Sequence, residues 1–471
     1  MPKILQNVRH IVVVMFENRS LDTMLGLLYP DGALPERVLP AGSPPAFDGI
    51  RPGMWNPSGS GQPVPVSFPA TGPTVPNPDP QETFDNVTAQ IFGPAANAPD
   101  APWPPMSGFV VNYETTSTKD ASQIMQIHTP AQLPVLSTLA RAYAVSDAWF
   151  ASVPSQTWPN RSFAHAGTSN GHVNNGDVPD PLVWNVPTIF NVLGAIGTSW
   201  AVYSDSLVGP SLTRTMFPTL WDERFSANFQ RFDAFVDACA TGRLPRYSFL
   251  EPRFLIDPSD QHPPHDVRAG ERFLHDIWTA VSQSPAWPDT LLLITYDEHG
   301  GCFDHVRPPD RAKAPDKASA PGDEGFGFDR FGVRVPFVAV SPYIAPGTVF
   351  RSPTDTPYDH ASLLATLRDW LDIPAADMLP SARVAAAPTF EQILTLAAPR
   401  GDLPAIAKPA NPLLADLLAD ALSQPLNDLQ KSLVAGAARR YGLDPRATLD
   451  ALPTRRHAAD FFTRENPGNL P

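Results

Sequence analysis

The segment Thr295-Tyr296-Asp297-Glu298-His299-Gly300-Gly301-Cys302-Phe303-Asp304-His305 sets acids and imidazoles where the apolar run Leu291-Leu292-Leu293-Ile294 ends. A short, continuous apolar run is expected of a strand buried on both faces in a parallel sheet, so the acids fall at the strand's carboxyl end. That edge is where open α/β sheets bind ligands. Adjacent carboxylates repel each other unless a cation or a shared proton offsets the charge, and a hard divalent metal is the economical solution. A solvated acidic turn is the plainer alternative for an isolated Asp-Glu pair.

The amino terminus repeats the layout, since Ile11-Val12-Val13-Val14-Met15-Phe16 ends in Glu17-Asn18-Arg19-Ser20. The Glu17 carboxylate and the Asn18 amide oxygen suit a hard cation, whereas Arg19 offers Glu17 a plain ion pair instead. A third stretch, Ser155-Gln156-Thr157-Trp158-Pro159-Asn160-Arg161-Ser162, follows Ala148-Trp149-Phe150-Ala151-Ser152-Val153 and reads as strand, turn and helix. A hydroxyl there stands at a helix amino terminus, where free N–H groups and the macrodipole favour an anion such as phosphate. Thr157 is then poised as a nucleophile. Alternatively, Ser155 or Thr157 only caps the helix. Pro159, just inside the helix, agrees with either reading.

Together with Gln261-His262-Pro263-Pro264-His265-Asp266-Val267, these segments resemble the bacterial phosphoesterase family of phospholipases C and related acid phosphatases, relatives of the alkaline phosphatase and sulfatase superfamily. The matching stretches begin at His10, Pro154, Gln261 and Thr295, occur in the family's order and span most of the chain. The resemblance implies an alkaline phosphatase-like α/β fold. It also implies a divalent metal (Ca, Mg, Mn or Zn) held by Glu17, Asn18, Thr157, Asp297 and Glu298, with Thr157 as nucleophile. A threonine hydroxyl is a poor nucleophile at neutral pH and needs a metal or base to stabilise its alkoxide. Phosphoryl transfer asks the protein mainly for positioning and charge stabilisation. The implied course is attack by Thr157, departure of an alcohol, and hydrolysis of phosphothreonine.

Histidines supply the remaining groups. His262 and His265 sit on a Pro-stiffened loop ahead of an amphipathic segment from Val267 to Val281, placed to bind phosphate oxygens or protonate the leaving alkoxide. His305 belongs to a matching segment, with Asp304 to orient it. Asn160, Arg161 and His360 are the expected substrate contacts, although His360 also suits a helix cap. His299 and His128 are weaker candidates. His10, His165, His172, His275 and His457 read as structural or solvated. A second cation stays open, because several conceivable ligands are left over.

A mostly parallel central sheet flanked by helices must position these groups. Strands are expected at Trp200 to Tyr203, Leu291 to Tyr296 and Val335 to Ser341, and helices at Leu133 to Tyr143, Thr188 to Leu193, Val267 to Val281 and Ala361 to Leu371. The 471 residues allow one large α/β domain or two domains. The expected division is a catalytic domain over 1–399 and a helical extension over 400–471 packed on it, with helices at Leu413 to Leu422 and Leu426 to Tyr441. A lid or membrane-facing role for those helices is the minority reading. Residues 466–471 read as a frayed tail, and no internal repeat is visible.

Proline, at 57 residues, far exceeds the usual ~5% and forecasts long insertions. Residues 29–105 are dense in Pro, Gly, Ser and Asn. We expect an ordered excursion over the sheet, anchored by Phe47, Trp55, Phe68, Phe84, Phe92 and Trp103, that covers the core or roofs the site. The glycine-bearing loop from Arg307 to Phe331 is a site rim or a plain solvated loop.

A net charge of −14 argues against sequence-independent binding to nucleic acid or anionic membranes, and a cationic or zwitterionic headgroup fits better. The expected partner is a phospholipid or small phosphoester substrate, with transient contact to a membrane surface left open. No apolar stretch approaches the ~20 residues needed to span a bilayer. The first apolar run is too short, and too soon followed by Glu17, for a signal peptide. The expectation is a soluble chain, cytoplasmic or exported by another route. Cys239 and Cys302 cannot make a disulfide framework. Cys239-Ala240-Thr241-Gly242-Arg243 faintly resembles the segment that sulfatases modify, but Thr241 replaces the expected proline, and Cys239 reads as a buried helix residue.

The reading is therefore a metal-dependent phosphoester hydrolase. A phospholipase C is preferred to an acid phosphatase on monoesters, with a non-catalytic binding protein on the same fold as the outside alternative. Headgroup, metal identity and oligomeric state are not legible in the chain.

Overall fold

Ile11 through Phe16 and Leu291 through Ile294 are at most 1% exposed. Successive strand residues point to opposite faces, so burial of every one means that both faces of these strands are covered. The computed structural model describes residues 4–30, 32–93, 105–410 and 421–465. In chain order its strands are β1 (His10–Phe16), β2 (Arg37–Leu39), β3 (Trp55–Pro57), β4 (Pro63–Pro65), β5 (Ala144–Ser146), β6 (Trp149–Phe150), β7 (Trp200–Ser204), β8 (Phe229–Arg231), β9 (Tyr247–Glu251), β10 (Thr290–Tyr296), β11 (Phe337–Val340), β12 (Thr348–Phe350) and β13 (Tyr358–Asp359).

The central sheet runs β2-β12-β5-β11-β10-β1-β9-β7-β8. All neighbours are parallel except β11, which is antiparallel to both β10 and β5. Of the expected strands, Trp200 to Tyr203, Leu291 to Tyr296 and Val335 to Ser341 are present as β7, β10 and β11; the direction of β11 and its second neighbour β5 were not foreseen. β9, which the apolar pattern did not reveal, lies between β1 and β7. β6 is a correction: the strand expected ahead of Thr157 has only two residues and pairs with β13 outside the main sheet.

Helices Pro134–Ala142, Ile189–Ala195, Val267–Ser282 and His360–Trp370 fall within two residues of their expected starts. Their apolar stripes join the sheet in one core, which includes Leu136, Phe190, Phe273, Ile277 and Leu364. Cys239 is buried in the Phe232–Ala240 helix, and burial pushes its thiol up to about 12, which leaves no basis for a sulfatase-like nucleophile.

The insertion is ordered over residues 32–93 and builds a satellite core in which Val87 and Ile91 meet Phe109, Val110, Tyr113 and Met125. Of the expected anchors, Phe47 is buried, and Phe84 and Phe92 are half-buried. Trp55 and Phe68 are 55% and 47% exposed, so they do not anchor it. Trp103 lies outside the described residues. In the Arg307 to Phe331 loop, Phe326 and Phe328 are buried against Phe163, which rules out a wholly solvated loop.

Towards the carboxyl end, helices Asp428–Arg440, Pro445–Asp450 and Arg455–Glu465 share a core with Leu212, Phe254 and Leu255. Gln430 Nε2 donates to the Phe254 carbonyl at 2.7 Å, and Arg439 pairs with Asp180 at 2.7 Å. A Cβ placed on Gly436 would lie 2.5 Å from Thr215 Cγ2 and 3.5 Å from Trp158 Cη2, so that helix packs closely against the segment that carries Thr157. Most of the expected Leu413 to Leu422 helix, and residues 466–471, lie outside the described residues. Among the described residues, no helix is long and apolar enough to cross a membrane.

Candidate active site

β1 and β10 are adjacent and parallel, with Phe16 opposite Tyr296, so Glu17 and Asp297 leave the same sheet edge side by side. The Asp297 N–H donates to the Phe16 carbonyl at 3.2 Å. Asp297 Oδ1 accepts the N–H of Asn18 at 3.1 Å and that of Glu298 at 2.8 Å, which locks both turns together. Asn18 adopts a left-handed backbone, φ 51°, one that asparagine tolerates better than most residues. Gly300 follows at φ 61°, where an added Cβ would sit 2.2 Å from the Asn18 carbonyl oxygen. Glycine is needed at this crossing on both counts.

Thr157 opens the Thr157–Ala166 helix, and Gln156 holds the cap position without a side-chain cap bond. Neither Ser155 nor Thr157 is the cap, since Ser155 Oγ donates to Asn174 Oδ1 at 3.0 Å. Thr157 Oγ1 lies 3.3 Å from Glu17 Oε2 and 3.4 Å from Asn18 Oδ1. The fold thus gathers Glu17, Asn18, Thr157 and Asp297, while Glu298 follows Asp297 with its Oε2 accepting the Gly300 N–H at 2.6 Å; all five are buried.

Arg161, one turn after Thr157, points the same way. Its Nη2 and its Nε (2.8 Å) donate to Glu17 Oε1, and Nε also lies 3.1 Å from Asp297 Oδ2. Burial opposes its charge, but the two acids raise its affinity for the proton. Arg161 therefore holds the carboxylates rather than standing free for substrate. Arg19, the other candidate partner of Glu17, donates instead to the carbonyls of Gln261 (2.7 Å) and Val75 (2.6 Å). Asn160 is also reassigned: its amide bonds Val153, Ser155 and Gln156 and ties down the loop beneath the nucleophile.

Burial raises Glu17, Asp297 and Glu298 above the ordinary carboxylate range, and repulsion between neighbouring acids adds to it for Glu17 and Glu298. Glu298 Oε1 is buried without a hydrogen-bond partner. Three carboxylates, an amide oxygen and a hydroxyl are all-oxygen donor chemistry that suits a hard divalent cation, although oxygens of Glu17, Asp297 and Glu298 do not all lie within 4.8 Å of one another here.

Among the histidines, His265 Nδ1 contacts Asp260 Oδ1 at 2.6 Å, while its Nε2 is buried and unpartnered. Asp260 was not singled out in the sequence, yet its carbonyl accepts the Glu17 N–H at 2.9 Å, so the loop is anchored on the end of β1. His262 turns Nδ1 to the Pro263 carbonyl at 2.6 Å and also leaves Nε2 unpartnered; burial lowers it to about 4. His360 begins its helix after the Asp359 cap, and its Nε2 donates to the Asp297 carbonyl at 2.6 Å while Trp149 Nε1 lies 3.4 Å from Nδ1. Both ring nitrogens are engaged with protein, so His360 positions Asp297 rather than contacting substrate. His299 is likewise occupied, its Nε2 lying 2.8 Å from Gln90 Oε1.

His305 belongs to a different cluster. Its Nδ1 is 2.7 Å from Asp22 Oδ2 and its Nε2 is 3.3 Å from Asp48 Oδ1. Asp304, expected to orient it, instead accepts Arg334 Nε at 2.9 Å, and Arg334 Nη2 reaches Asp22 at 3.0 Å. Asp22, Asp304 and His305 bring three potential metal ligands together, but the two acids are already paired with Arg334 and His305. Burial alone would lower His305; its bonds to Asp22 and Asp48 outweigh that and raise it to about 10. A histidine raised on folding contributes stability that is complete below its unfolded pKa, roughly 6.5, and fades as pH climbs towards the folded value. The melting temperature should therefore fall between pH 6.5 and pH 10, and His305→Gln should flatten that fall. An equally steep decline in the variant would remove His305 as its cause.

The His265 loop borders a cavity of about 820 Å³, whose wall also includes Asp79, Glu82, Asp428 and Arg455 but none of Glu17, Asn18, Thr157, Asp297 and Glu298. Burial raises Asp79 and Glu82 well above ordinary carboxylates, and Glu82 also feels Asp79 and Glu298. None of Asp79, Glu82 or Arg455 was marked by a motif. Asp260, five residues ahead of His265 on the same loop, is the signal that could have marked the orienting acid.

Residues 8–374 match the model of the phosphoesterase family. Non-specific phospholipase C1 of Arabidopsis thaliana is 34% identical over 85% of this chain and 74% of its own length. Non-specific phospholipase C3 of the same plant is 33% identical over 97% of this chain and 88% of its own. Phospholipase C B of Mycobacterium tuberculosis is 29% identical over 80% of this chain and 76% of its own. A protein of the alkaline phosphatase superfamily from Vibrio parahaemolyticus aligns at 12% identity over 56% of this chain and 65% of that one, with a TM-score of 0.34. That likeness adds nothing to the sheet order described above.

Proposed function

From its membership of the phosphoesterase family, to which this chain belongs as a phosphoric ester hydrolase, we propose that it is a phospholipase C. It cuts a phospholipid phosphodiester to diacylglycerol and a phosphorylated headgroup through phosphothreonine at Thr157. The observation that supports this most is the placement of Thr157 Oγ1 at a helix amino terminus, 3.3 Å from Glu17 Oε2 and 3.4 Å from Asn18 Oδ1.

The hydroxyl is aimed at Glu17 Oε2, which can take its proton as Oγ1 bonds to phosphorus. The positive end of the Thr157–Ala166 helix favours the anionic phosphoryl group there. A divalent cation, held by Glu17, Asn18, Thr157, Asp297 and Glu298, supplies Lewis-acid stabilisation of alkoxide and phosphoryl charge when bound. Arg161 keeps the Glu17 and Asp297 carboxylates in register. His265, fixed through Nδ1 on Asp260 and part of the cavity wall, gives a proton from Nε2 to the leaving oxygen. In the second step the same Nε2 takes a proton from the water that attacks phosphorus, and Glu17 returns its proton to Thr157 Oγ1 as the P–O bond breaks. Asp260 fixes the orientation of the ring for both transfers through its contact with Nδ1.

About 820 Å³ is within the size range of pockets that enclose drug-sized ligands, and is more than a small phosphomonoester needs. The test compares metal-supplemented turnover of p-nitrophenyl phosphorylcholine and p-nitrophenyl phosphate, with release of phosphocholine from phosphatidylcholine vesicles alongside. Faster diester turnover with phosphocholine release is the expected result. Preference for the monoester would instead make the chain an acid phosphatase.

A further inference from the structure

We propose that Arg455 binds the phosphoryl group of the substrate, so that the carboxyl-terminal helices complete the active site. This rests on the phosphodiesterase reading of Thr157 and names a residue which that reading does not require.

A phosphodiester brings a negative charge into a cavity whose wall is rich in acids, among them Asp79, Glu82 and Asp428. Recognition needs a cation to face it, and a guanidinium suits tetrahedral oxyanions best because its donors form a planar fork. Arg161 is committed to Glu17 and Asp297, and Arg19 to two backbone carbonyls. Among the described residues that line the cavity, Arg455 is the single lysine or arginine. Its side chain is 8% exposed, its Nε is buried without a partner, and no described carboxylate lies within ion-pair distance of it. Burial lowers its proton affinity, offset in part by the charges of Asp260 and Asp79. Arg455 and His265 line the same cavity, and Asp260, which holds the His265 ring, is the first acid whose charge Arg455 feels. A buried arginine without an ion pair is costly to keep unless a ligand supplies the anion.

The scaffold holds Arg455 in register. Its backbone N–H donates to the Gln424 carbonyl at 3.0 Å, which ties the start of the Arg455–Glu465 helix to the stretch from Ala421 to Asp428 that also lines the cavity. The same helical unit reaches the nucleophile segment through Gly436 on Trp158, and the Phe254 carbonyl through Gln430. Phe254 in turn lies 5.6 Å beneath the Arg161 guanidinium.

The experiment uses the full chain with its metal and three forms: parent, Arg455→Met and Arg455→Lys. Inorganic phosphate is the probe, its inhibition constant is measured against p-nitrophenyl phosphorylcholine, and its direct affinity is measured by calorimetry in a Thr157→Ala background. Arg455→Met should weaken phosphate about 10- to 100-fold and raise KM more than it lowers kcat. Arg455→Lys, which keeps the charge but not the fork, should fall between the two. Melting temperatures monitor the fold, and the lysine variant serves if the methionine variant does not fold. Phosphate affinity within twofold of the parent in both variants would overturn the proposal, as would weakening that tracks only a lowered melting temperature. Failure of the phosphodiesterase reading would show separately, as monoester preference or lack of turnover in the parent protein.

Discussion

Thr157→Ala should lower turnover of p-nitrophenyl phosphorylcholine by about 10³-fold or more while leaving the melting temperature near that of the parent. The side chain is small and buried, and its recorded hydrogen-bond contacts are the two oxygens of Glu17 and Asn18, so little packing is lost with it. The hydroxyl is the one protein group in this mechanism that forms a bond to phosphorus. Thr157→Ser keeps a hydroxyl on the same atom and should remain within about tenfold of the parent, since only the methyl group that restricts its rotamer is gone. Rapid quenching of the parent during turnover should trap phosphate on the peptide that contains Thr157, detected by mass spectrometry. Full activity in Thr157→Ala, or label on another residue, would sink the mechanism.

What the chain disclosed in advance follows from which signals are local. The long apolar runs that became β1 and β10 are continuous because both faces are buried, and the acids that follow them were placed correctly on one edge. β9 escaped because Tyr247-Ser248-Phe249-Leu250-Glu251 mixes polar residues into a central strand. Glu251 there is not a strand-end signal: it accepts the N–H groups of Leu212 and Thr213 at 3.1 and 2.7 Å, which satisfies the start of a helix. The reversal of β11 could not be read from its own residues, since an apolar strand carries no mark of direction.

Partner choice at the site was harder still. Arg19 is two residues from Glu17 in sequence, but the left-handed turn at Asn18 sends it towards Gln261 and Val75. Arg161 is 144 residues away and makes the pair. Its legible mark was the i, i+4 spacing from Thr157, which puts both side chains on one helix face. Arg455 had no such mark, because its relation to His265 exists only once the carboxyl-terminal helices dock on Leu212, Phe254 and Leu255.

The largest effect on stability should come from Arg161→Met. The side chains of Glu17, Asp297 and Arg161 are at most 2% exposed, so the guanidinium is a charge in the interior that two carboxylates hold. Breaking a buried pair from one side costs about 3–5 kcal/mol, because the remaining charge is left without water or partner. Here two acids lose their partner at once, with Glu298 and Asp260 close by. Methionine replaces most of the stem volume but not the fork, so the loss is electrostatic rather than a cavity effect. Arg161→Lys should recover part of it, since one ammonium reaches fewer oxygens than the fork does. The measurement is the urea midpoint and slope for the three forms, repeated with a divalent cation added. The cation should stabilise Arg161→Met more than the parent, because it replaces charge that the parent still has. A cost under about 1 kcal/mol, or equal stabilisation of both forms by the cation, would mean that the carboxylates do not depend on Arg161 for their charge balance.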